Sequence, residues 1–264
     1  MKIGFIGCGN MGGALATAAA KSENEILLAD NDKEKCESLA QKLSAKVSAN
    51  DEICRECDYI FLGVKPQVLG ALLESIAPVL AAREKKAILV SMAAGVKSEY
   101  VSSISGGSPV IRIMPNTPVA IGMGMVVYCG GEQVSEEDKK IFAGFMSAAG
   151  YLEEIKEKDI DAATVVSGCG PAFVYMFIKS LADSGVECGL GSDLAITLAA
   201  QTVMGAAGLL KSSDKTPKEL IDAVCSPGGS TIEGVRSLEA EDLAGIVSRA
   251  AAKSFKRTKE LGQK

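Results

Sequence analysis

Apolar and polar positions alternate regularly along the first part of the chain. Short, nearly continuous apolar runs, typical of strands covered on both faces, are each followed by a segment with helical periodicity. This order predicts βαβ units and a mainly parallel sheet. The predicted strands are Lys2–Gly7, Glu25–Ala29, Asp58–Val64, Ala87–Met92, Val110–Met114, Met123–Cys129 and Tyr151–Ile155. The predicted helices are Met11–Lys21, Lys33–Leu43, Gln67–Leu80, Ser98–Ile104 and Glu136–Ala149.

After about residue 158 the strand patterns stop and only helical patterns follow. They cover Pro171–Asp183, Asp193–Leu210, Pro217–Val224, Thr231–Leu238 and Asp242–Leu261. A change from alternating α/β to all-α marks a domain boundary. We therefore predict an α/β domain over residues 1–158 and an all-α domain over residues 159–264.

Two of the C-terminal helical segments are strongly apolar. Leu194–Leu210 is polar only at Thr197, Gln201 and Thr202, and Pro171–Leu181 is shorter and contains Lys179. Both fall short of the roughly 20 residues that a membrane span needs. A tail of about 100 residues cannot cover such helices by itself, so we expect no membrane and instead a subunit interface between copies of the chain.

Composition narrows the possible functions. The 264 residues carry a net charge of -5, five Tyr, seven Phe and no Trp, which argues against a nucleic-acid-binding surface and against anionic membranes. The chain has no His, which excludes His-dependent nucleophiles, His metal sites and His general acids. We predict no metal site.

Eight cysteines are scattered along the chain. The N-terminus runs straight into an apolar strand and lacks the pattern of a signal peptide, so we expect reduced thiols and a cytoplasmic protein. Cys54 and Cys57 form one CxxC without the second pair of a zinc ribbon. A redox pair and two thiols spaced one helical turn apart both fit this motif.

A glycine-rich motif lies between the first predicted strand and the first predicted helix. Gly7-Cys8-Gly9-Asn10-Met11-Gly12 has the G-x-G-x-x-G spacing, and in this context it predicts a Rossmann-type dinucleotide site. Gly7 allows the tight turn, Gly9 lets the backbone approach the pyrophosphate, and Gly12 permits close helix–strand packing. Residues 1–158 are therefore predicted to be a dinucleotide-binding domain for NADH or NADPH.

Asp30 follows Gly12 by 18 residues, at the end of the second strand. An acid at this position accepts hydrogen bonds from the adenosine ribose and repels a 2′-phosphate, which favours NADH. Alternatively, Asp30 turns back to cap the next helix, and Asn31 and Lys33 hold a phosphate.

Three further segments follow predicted parallel strands, whose carboxyl ends line the ligand crevice in this architecture. Lys65 follows a buried strand, although a solvated loop lysine is the alternative. The small residues Ala93-Ala94-Gly95 allow a nicotinamide ring to approach, and Pro115 and Pro118 present Asn116. The full set of predicted cofactor residues is Ile6, Gly7, Gly9, Asn10, Met11, Gly12, Asp30, Asn31, Asn50, Val64, Lys65, Pro66, Ala93, Ala94, Gly95 and Asn116.

Two glycine-containing motifs precede helices in the C-terminal half. Ser167-Gly168-Cys169-Gly170-Pro171 ends in a proline favoured at the first helical position, which places these residues at a helix N-terminus. Ser226-Pro227-Gly228-Gly229-Ser230-Thr231 also precedes a helix, and Ser230 and Glu233 have capping-box spacing. Two such helix starts can bind a small carboxylate; ordinary helix caps are the alternative.

With GCGNMGG, LGVKPQ, SMAAGV, RIMPNTP, SGCGPA and AVCSPGGST in this order, the chain resembles pyrroline-5-carboxylate reductases over almost its whole length. The resemblance implies hydride transfer from NAD(P)H to the C=N carbon of 1-pyrroline-5-carboxylate, giving L-proline. It also implies that residues 159–264 bind substrate and form a homodimer, which assembles further into a decamer.

The resemblance also implies roles for individual residues. Thr231 is expected to be catalytic through a hydrogen bond to the ring nitrogen. The substrate-binding residues are expected to be Glu157, Ser167, Gly168, Cys169, Gly170, Ser226, Gly228, Gly229, Ser230 and Thr231. Glu157 lies in a charged run, so a solvated loop charge is the alternative.

Three positions depart from the family pattern. Cys169 stands where a Ser is common, Ala223 replaces a polar residue, and Asp30 differs from NADPH-preferring members.

A cyclic imine fits a chain without histidine, since a protonated imine already carries the proton that reduction of a ketone must obtain from an acid. Two rival functions remain at the level of sequence. One is a β-hydroxyacid dehydrogenase, but positions 173–176 lack the lysine that this chemistry uses. The other is a non-catalytic dinucleotide sensor that binds a protein partner.

Overall fold

The computed structural model describes residues 1–262. Its strands are β1 (Lys2–Ile6), β2 (Glu25–Ala29), β3 (Lys46–Val47), β4 (Tyr59–Leu62), β5 (Ile88–Ser91), β6 (Val110–Pro115), β7 (Gly124–Gly130) and β8 (Gly150–Glu154). Its α-helices are α1 (Asn10–Ala19), α2 (Lys33–Leu43), α3 (Asn50–Glu56), α4 (Pro66–Ala81), α5 (Ser98–Ile104), α6 (Glu136–Met146), α7 (Ile160–Ala163), α8 (Gly170–Glu187), α9 (Ser192–Lys211), α10 (Pro217–Val224), α11 (Ser230–Ala240) and α12 (Leu243–Leu261).

The eight strands form one sheet in the order β3-β2-β1-β4-β5-β6-β7-β8. All neighbouring strands are parallel except β6 and β7. Only a short 3-10 helix, Thr117–Ile121, separates β6 from β7, and such a connection is too short for a parallel crossover. The predicted mainly parallel, Rossmann-type sheet followed by helices is confirmed.

The central strands are buried on both faces because helices cover both sides of the sheet. Phe5 and Phe61 stack with ring centroids 4.4 Å apart, and Phe142 and Phe145 of α6 pack edge-to-face beside them. On the other face, apolar side chains of α3 and α4 pack against β4 and β5. This continuous burial explains why the strand sequences contain almost no polar positions.

Several short elements were not predicted. β3 has two residues, and α3 buries only Ile53 and Cys54, so neither produces a long periodic pattern. Between β8 and α8, the chain forms a 3-10 turn at Glu157–Asp159, then α7, then a π-helical turn at Thr164–Gly168.

The chain divides into two compact units. The Rossmann unit comprises Met1–Cys169 and the chain from Ser254 onward, and the helical unit comprises Gly170–Lys253. The division follows Cys169, later than the predicted boundary at residue 158. The reason is that residues 160–168 pack on the Rossmann sheet, where Ile160 is buried.

The helical unit buries few apolar side chains of its own. α8 and α9 pack together through Ala182, Ala195 and Ala199, with Ile178 beside them. Many larger apolar side chains of this unit are exposed, among them Val174, Tyr175, Met176, Phe177, Leu181, Leu194, Ile196, Leu198, Met204, Leu209, Ile246 and Val247. Within the described chain, the helical stretches Glu157–Glu187 and Ser192–Lys211 have the length and composition of a membrane span. They are mostly exposed in the single chain, where the sequence predicted a subunit interface.

Candidate active site

The glycine-rich turn between β1 and α1 is very closely packed. Gly7 has a φ of +97°, and a Cβ on Gly12 would lie 2.1 Å from the Gly7 carbonyl oxygen. A Cβ on Gly63, which follows β4, would lie 2.3 Å from the same oxygen. No side chain larger than hydrogen fits at Gly12 or Gly63, so the predicted role of Gly12 in close packing is confirmed. Gly63 is a further member of this cluster.

The N-terminus of α1 is free to bind an anion. Gly9 is the N-cap, and within residues 1–262 no side chain accepts a hydrogen bond from the first amides of α1. A Cβ on Gly9 would meet no atom within 4 Å, so the space beside its backbone is open. The first turn, at Asn10 and Met11, also carries no acid. Uncapped amides and the positive end of a helix dipole suit the pyrophosphate of a dinucleotide.

Asp30 lies beside this turn. Its carboxylate accepts hydrogen bonds from the backbone N–H of Cys8 at 2.5 Å and of Asp32 at 2.9 Å. The N-cap of α2 is Asp32, whose side chain accepts from the Lys35 N–H. Asp30 therefore does not cap α2; it ties the glycine-rich turn to the turn after β2. Its predicted contact with the ribose remains a prediction.

The other predicted cofactor residues lie near the carboxyl ends of the parallel strands. Ile6 ends β1, exposed Asn31 follows β2, and Asn50 begins α3 just after β3. Val64, Lys65 and Pro66 connect β4 to α4, with Lys65 as the N-cap and Pro66 in the first turn. Ala93, Ala94 and Gly95 follow β5. These residues therefore border one edge of the sheet, as predicted.

The end of α12 packs on the loop after β5. Gly95 has a φ of +77°, and a Cβ there would lie 2.5 Å from the Gly262 backbone nitrogen and 3.0 Å from the Thr258 carbonyl oxygen. One side of Gly95 is thus occupied by the chain itself. Ala94 and Gly95 are half-buried and Ala93 is buried, and the contact of this segment with a nicotinamide ring remains a prediction.

Asn116 is 9% exposed, and protein groups occupy both ends of its side-chain amide. Its Nδ2 donates to the Ser167 carbonyl oxygen at 3.0 Å, and its Oδ1 accepts from the Met125 N–H at 2.8 Å. The sequence predicted a cofactor ligand at this position. In the structure, these hydrogen bonds join β7 to the π-helical turn, and a contact with the cofactor remains a prediction.

The segment Ser167–Gly170 differs from the predicted loop before a helix. α8 does begin at Gly170, but Ser167 and Gly168 belong to the π-helical turn. The Cys169 N–H donates to the Thr164 carbonyl oxygen at 2.9 Å, and the Ser167 hydroxyl donates to the Ala163 carbonyl oxygen at 3.0 Å. These donors are therefore already used within the chain.

The amides at the start of α8 are less engaged. Gly170 and Ala172 are the first and third residues of α8, so their N–H groups have no partner within that helix. Pro171, between them, has no N–H. Of the predicted residues, Gly170 thus supplies a donor at this helix start, and Ala172 is a further one.

The Ser226–Thr231 motif forms a tight turn before α11. Gly228 has a φ of +73°, and the Gly229 N–H donates to the Ser226 carbonyl oxygen at 3.0 Å. Gly229 is the N-cap of α11, and no side chain of the described chain caps it. The predicted capping box of Ser230 and Glu233 is wrong, since Ser230 is the first helical residue and Glu233 pairs with Arg236.

The absence of that capping box leaves the first amides of α11 free for a ligand. Ser226, Gly228, Ser230 and Thr231 are exposed around this helix start. Its chemistry, with unpaired amides, the positive end of a helix dipole and three hydroxyls, suits a small carboxylate.

Glu157 lies elsewhere than predicted. Its carboxylate accepts hydrogen bonds from the Ser98 N–H at 2.7 Å and the Ser98 hydroxyl at 2.8 Å, at the start of α5, and lies 3.6 Å from the Arg112 guanidinium. Because β8 runs antiparallel to β6, its carboxyl end points to the amino edge of the parallel strands. Glu157 is therefore a helix cap and ion-pair partner, and its prediction as a substrate-binding residue is not supported.

Arg112 is the centre of this buried charge cluster. It is 2% exposed, and its guanidinium lies 2.8 Å from the Asp161 carboxylate. This ion pair was not predicted from the sequence. The sequence contains a signal for this ion pair, because Arg112 is a charged residue inside the apolar run of β6, and a buried arginine requires a partner.

The CxxC cysteines are inaccessible. Cys54 and Cys57 are fully buried, and burial raises the pKa of each thiol to about 12. A redox-active pair needs an exposed, acidic thiol, so the structure supports the simpler interpretation of two packed thiols. Within residues 1–262, no cluster of three or more Cys, Asp or Glu is arranged to hold a metal ion.

Comparisons with known proteins agree with the two units. Residues 157–261 match the family model described as pyrroline-5-carboxylate reductase dimerisation, and residues 2–95 match that described as NADP oxidoreductase coenzyme F420-dependent. The chain is 38% identical to pyrroline-5-carboxylate reductase of Glycine max, over 98% of this chain and 95% of that protein. It is also 38% identical to the Arabidopsis thaliana protein of the same name, over 99% and 96%.

A solved structure gives the same result. The pyrroline carboxylate reductase of Plasmodium falciparum, solved with NADP bound, has a TM-score of 0.88 and 35% identity, covering 99% of this chain and 98% of that one. Full-length similarity at this level, together with the glycine-rich turn and the Ser226–Thr231 turn, shows that the chain belongs to the pyrroline-5-carboxylate reductase family.

Proposed function

We propose that this chain carries out the reaction of its family, the reduction of 1-pyrroline-5-carboxylate to L-proline with NAD(P)H. The observation that carries the proposal is that α1 in the Rossmann unit and α11 in the helical unit both follow a glycine-rich turn and begin at a glycine that no side chain of residues 1–262 caps. The N-terminus of α1 suits a pyrophosphate, and that of α11 suits a carboxylate. Full-length relatives at 38% identity bear the name of this activity.

The cofactor fits the Rossmann unit on steric grounds. The turn has no Cβ at Gly7, Gly9 or Gly12, and the open space at Gly9 lets a pyrophosphate approach the backbone. Bound NAD(P)H supplies the hydride. Its preference between NADH and NADPH depends on Asp30, whose carboxylate would repel a 2′-phosphate.

The substrate explains why the site contains no histidine. The imine carbon accepts a hydride, and the electron pair of the C=N bond moves to the nitrogen, which already carries a proton. The product is a neutral secondary amine, so no acid has to donate a proton during the step. The protein needs to bind the carboxylate, orient the ring and exclude water.

The residues around the start of α11 supply these interactions in our proposal. The Thr231 hydroxyl hydrogen-bonds the ring nitrogen, and Ser226, Gly229 and Ser230 hold the carboxylate. Cys169 replaces a serine hydroxyl, which makes the substrate contact of the Ser167–Gly170 segment weaker than in relatives that have the serine.

A second copy of the chain covers the exposed apolar side chains of the helical unit. Leu194, Leu198 and Leu209 are exposed on α9, and a monomer would leave these large apolar groups in water. The match of residues 157–261 to a dimerisation family supports a homodimer. We further propose assembly into a decamer and a cytoplasmic location, which the eight unpaired cysteines favour.

The decisive experiment is an assay of the purified full-length chain with the imine and either NADH or NADPH. We expect imine-dependent loss of the reduced nicotinamide absorbance and formation of L-proline in equal amount. Reactions without the imine are the control. Cofactor binding without any imine-dependent oxidation would contradict the proposal and favour a dinucleotide sensor.

A further inference from the structure

A proline creates an unpaired backbone carbonyl next to the predicted substrate segment. In an α-helix, the carbonyl of residue i accepts from the N–H of residue i+4, which for Ser167 is residue 171. Pro171 has no N–H, so the Ser167 carbonyl, which lies in the π-helical turn just before α8, has no partner at the α-helical spacing. An unpaired carbonyl at a half-buried position destabilises the local backbone, and the chain must satisfy it in another way.

Asn116 satisfies this carbonyl from a different part of the Rossmann unit. Its Nδ2 lies 3.0 Å from the Ser167 carbonyl oxygen, and its Oδ1 accepts from the Met125 N–H at 2.8 Å. The regular pairing of β6 with β7 ends at Pro115 and Val126, so the Met125 amide lies just beyond the ladder. One side chain therefore extends the sheet and holds the π-helical turn at the same time.

The chemistry of the site requires both ends of an amide. Ser167 presents an acceptor and Met125 presents a donor, and the side-chain amide of Asn carries a neutral donor and a neutral acceptor on one planar group. The Asn116 side chain is 9% exposed, so water cannot readily replace either bond.

We propose that Asn116 is a positioning residue for substrate binding rather than a cofactor ligand. By holding the Ser167 carbonyl, it fixes the backbone of Ser167–Cys169, immediately before Gly170 and Ala172, whose amides belong to the first turn of α8. This inference rests on the proposed function, since it assigns the segment to the imine carboxylate. Asn116 contacts neither the reacting atoms nor the pyrophosphate turn in this role.

Replacing the proline supplies the test. In Pro171→Ala, the amide of residue 171 is present at the helical spacing from Ser167, so the carbonyl no longer depends on Asn116. We expect Asn116→Ala to raise the KM for the imine about tenfold, as the loss of one buried hydrogen bond allows. The Kd for NADPH should stay within about twofold. We expect Asn116→Ala/Pro171→Ala to recover most of the KM, and Pro171→Ala alone to change it little.

A second readout does not depend on activity. Amide hydrogen exchange of residues 164–172 should be faster in Asn116→Ala than in the wild type, and slower again in the double variant. Asn24→Ala is the matched control, because Asn24 precedes β2 at the opposite edge of the sheet. If Asn116→Ala does not fold, Asn116→Asp replaces it in the test. This variant keeps an acceptor for the Met125 N–H but places an oxygen next to the Ser167 carbonyl oxygen. The same increase in KM is expected.

The outcomes separate this inference from the proposed function. A wild type that never oxidises NAD(P)H with the imine contradicts the proposed function. An active wild type with an unchanged KM in Asn116→Ala, or without recovery in the double variant, overturns the positioning role. A weaker Kd for NADPH at constant KM would overturn it too, in favour of a cofactor ligand.

Discussion

The two units of this chain differ in how they bury their apolar side chains. In the Rossmann unit, strands such as β4 and β5 are buried completely between helices of the same unit. In the helical unit, the side chains buried between α8 and α9 are alanines, while large ones such as Leu209 are 56% exposed. The first unit therefore has a core of its own, whereas the second requires a partner to exclude water from its apolar surface.

The two units are alike in how they leave helix starts available. Surface helices α6 and α10 begin with complete capping boxes. By contrast, α1 and α11 begin at Gly9 and Gly229, and no side chain within residues 1–262 caps either. A capping box occupies some of the first amides of its helix, so the starts of α1 and α11 keep more donors available for an anion than those of α6 and α10.

The largest effect is expected in the helical unit, whose exposed apolar surface we propose to be buried in a dimer interface. Ala200→Glu places a charge on the exposed apolar surface of α9. An unpaired charge in an interface costs about 3–5 kcal/mol, so the dimer should dissociate or the chain should aggregate. Light scattering measures the mass. Ala71→Glu, on the exposed side of α4, is the matched control and should keep the wild-type mass.

The next effect concerns the closely packed turn of the Rossmann unit. Gly12→Ala places a methyl group 2.1 Å from the Gly7 carbonyl oxygen, which forces the turn apart. We expect at least about a tenfold weaker Kd for NADPH and a loss of roughly 2–4 kcal/mol in the free energy of unfolding. Gly144→Ala in α6 meets open space and should stabilise by about 0.5–1 kcal/mol. Equal stability of both variants would contradict the steric argument.

A smaller and more selective effect is expected at the start of α11. Thr231→Val removes the hydroxyl proposed to act on the ring nitrogen, and one such bond contributes about 1–3 kcal/mol, or about 5- to 150-fold in kcat/KM. The Kd for NADPH should not change, because Thr231 belongs to the helical unit. Thr231→Ser retains the hydroxyl and should recover activity. Unchanged kcat/KM in Thr231→Val would remove this residue from the mechanism.

The smallest effect concerns cofactor preference. We expect the wild type to use NADH at least as well as NADPH, and Asp30→Ser to lower kcat/KM for NADH and raise it for NADPH by about three- to tenfold. Asp30→Asn is the control for the charge alone, since its oxygen can still accept from the Cys8 N–H. A wild type that prefers NADPH tenfold, with both variants unchanged, would show that Asp30 does not face the ribose.

The sequence by itself determined the fold class and the position of most elements. The ranges predicted for β2, α2, α5 and α10 agree with the structure residue for residue. Hydrophobic periodicity is a local property that each segment carries alone, and glycine spacing directly reflects where a side chain cannot fit. Because both signals are local, the cofactor turn and the family motifs could be predicted from the sequence.

Only the tertiary structure decided the partners of the polar side chains. Glu157 caps α5 and pairs with Arg112, 45 positions earlier in the chain, and Asn116 satisfies a carbonyl 51 positions away. The sequence marks these residues as polar but does not state what each one contacts. A buried polar group is stabilised by whichever complementary group the fold brings within hydrogen-bond distance, and that distance exists only after the sheet and helices have packed.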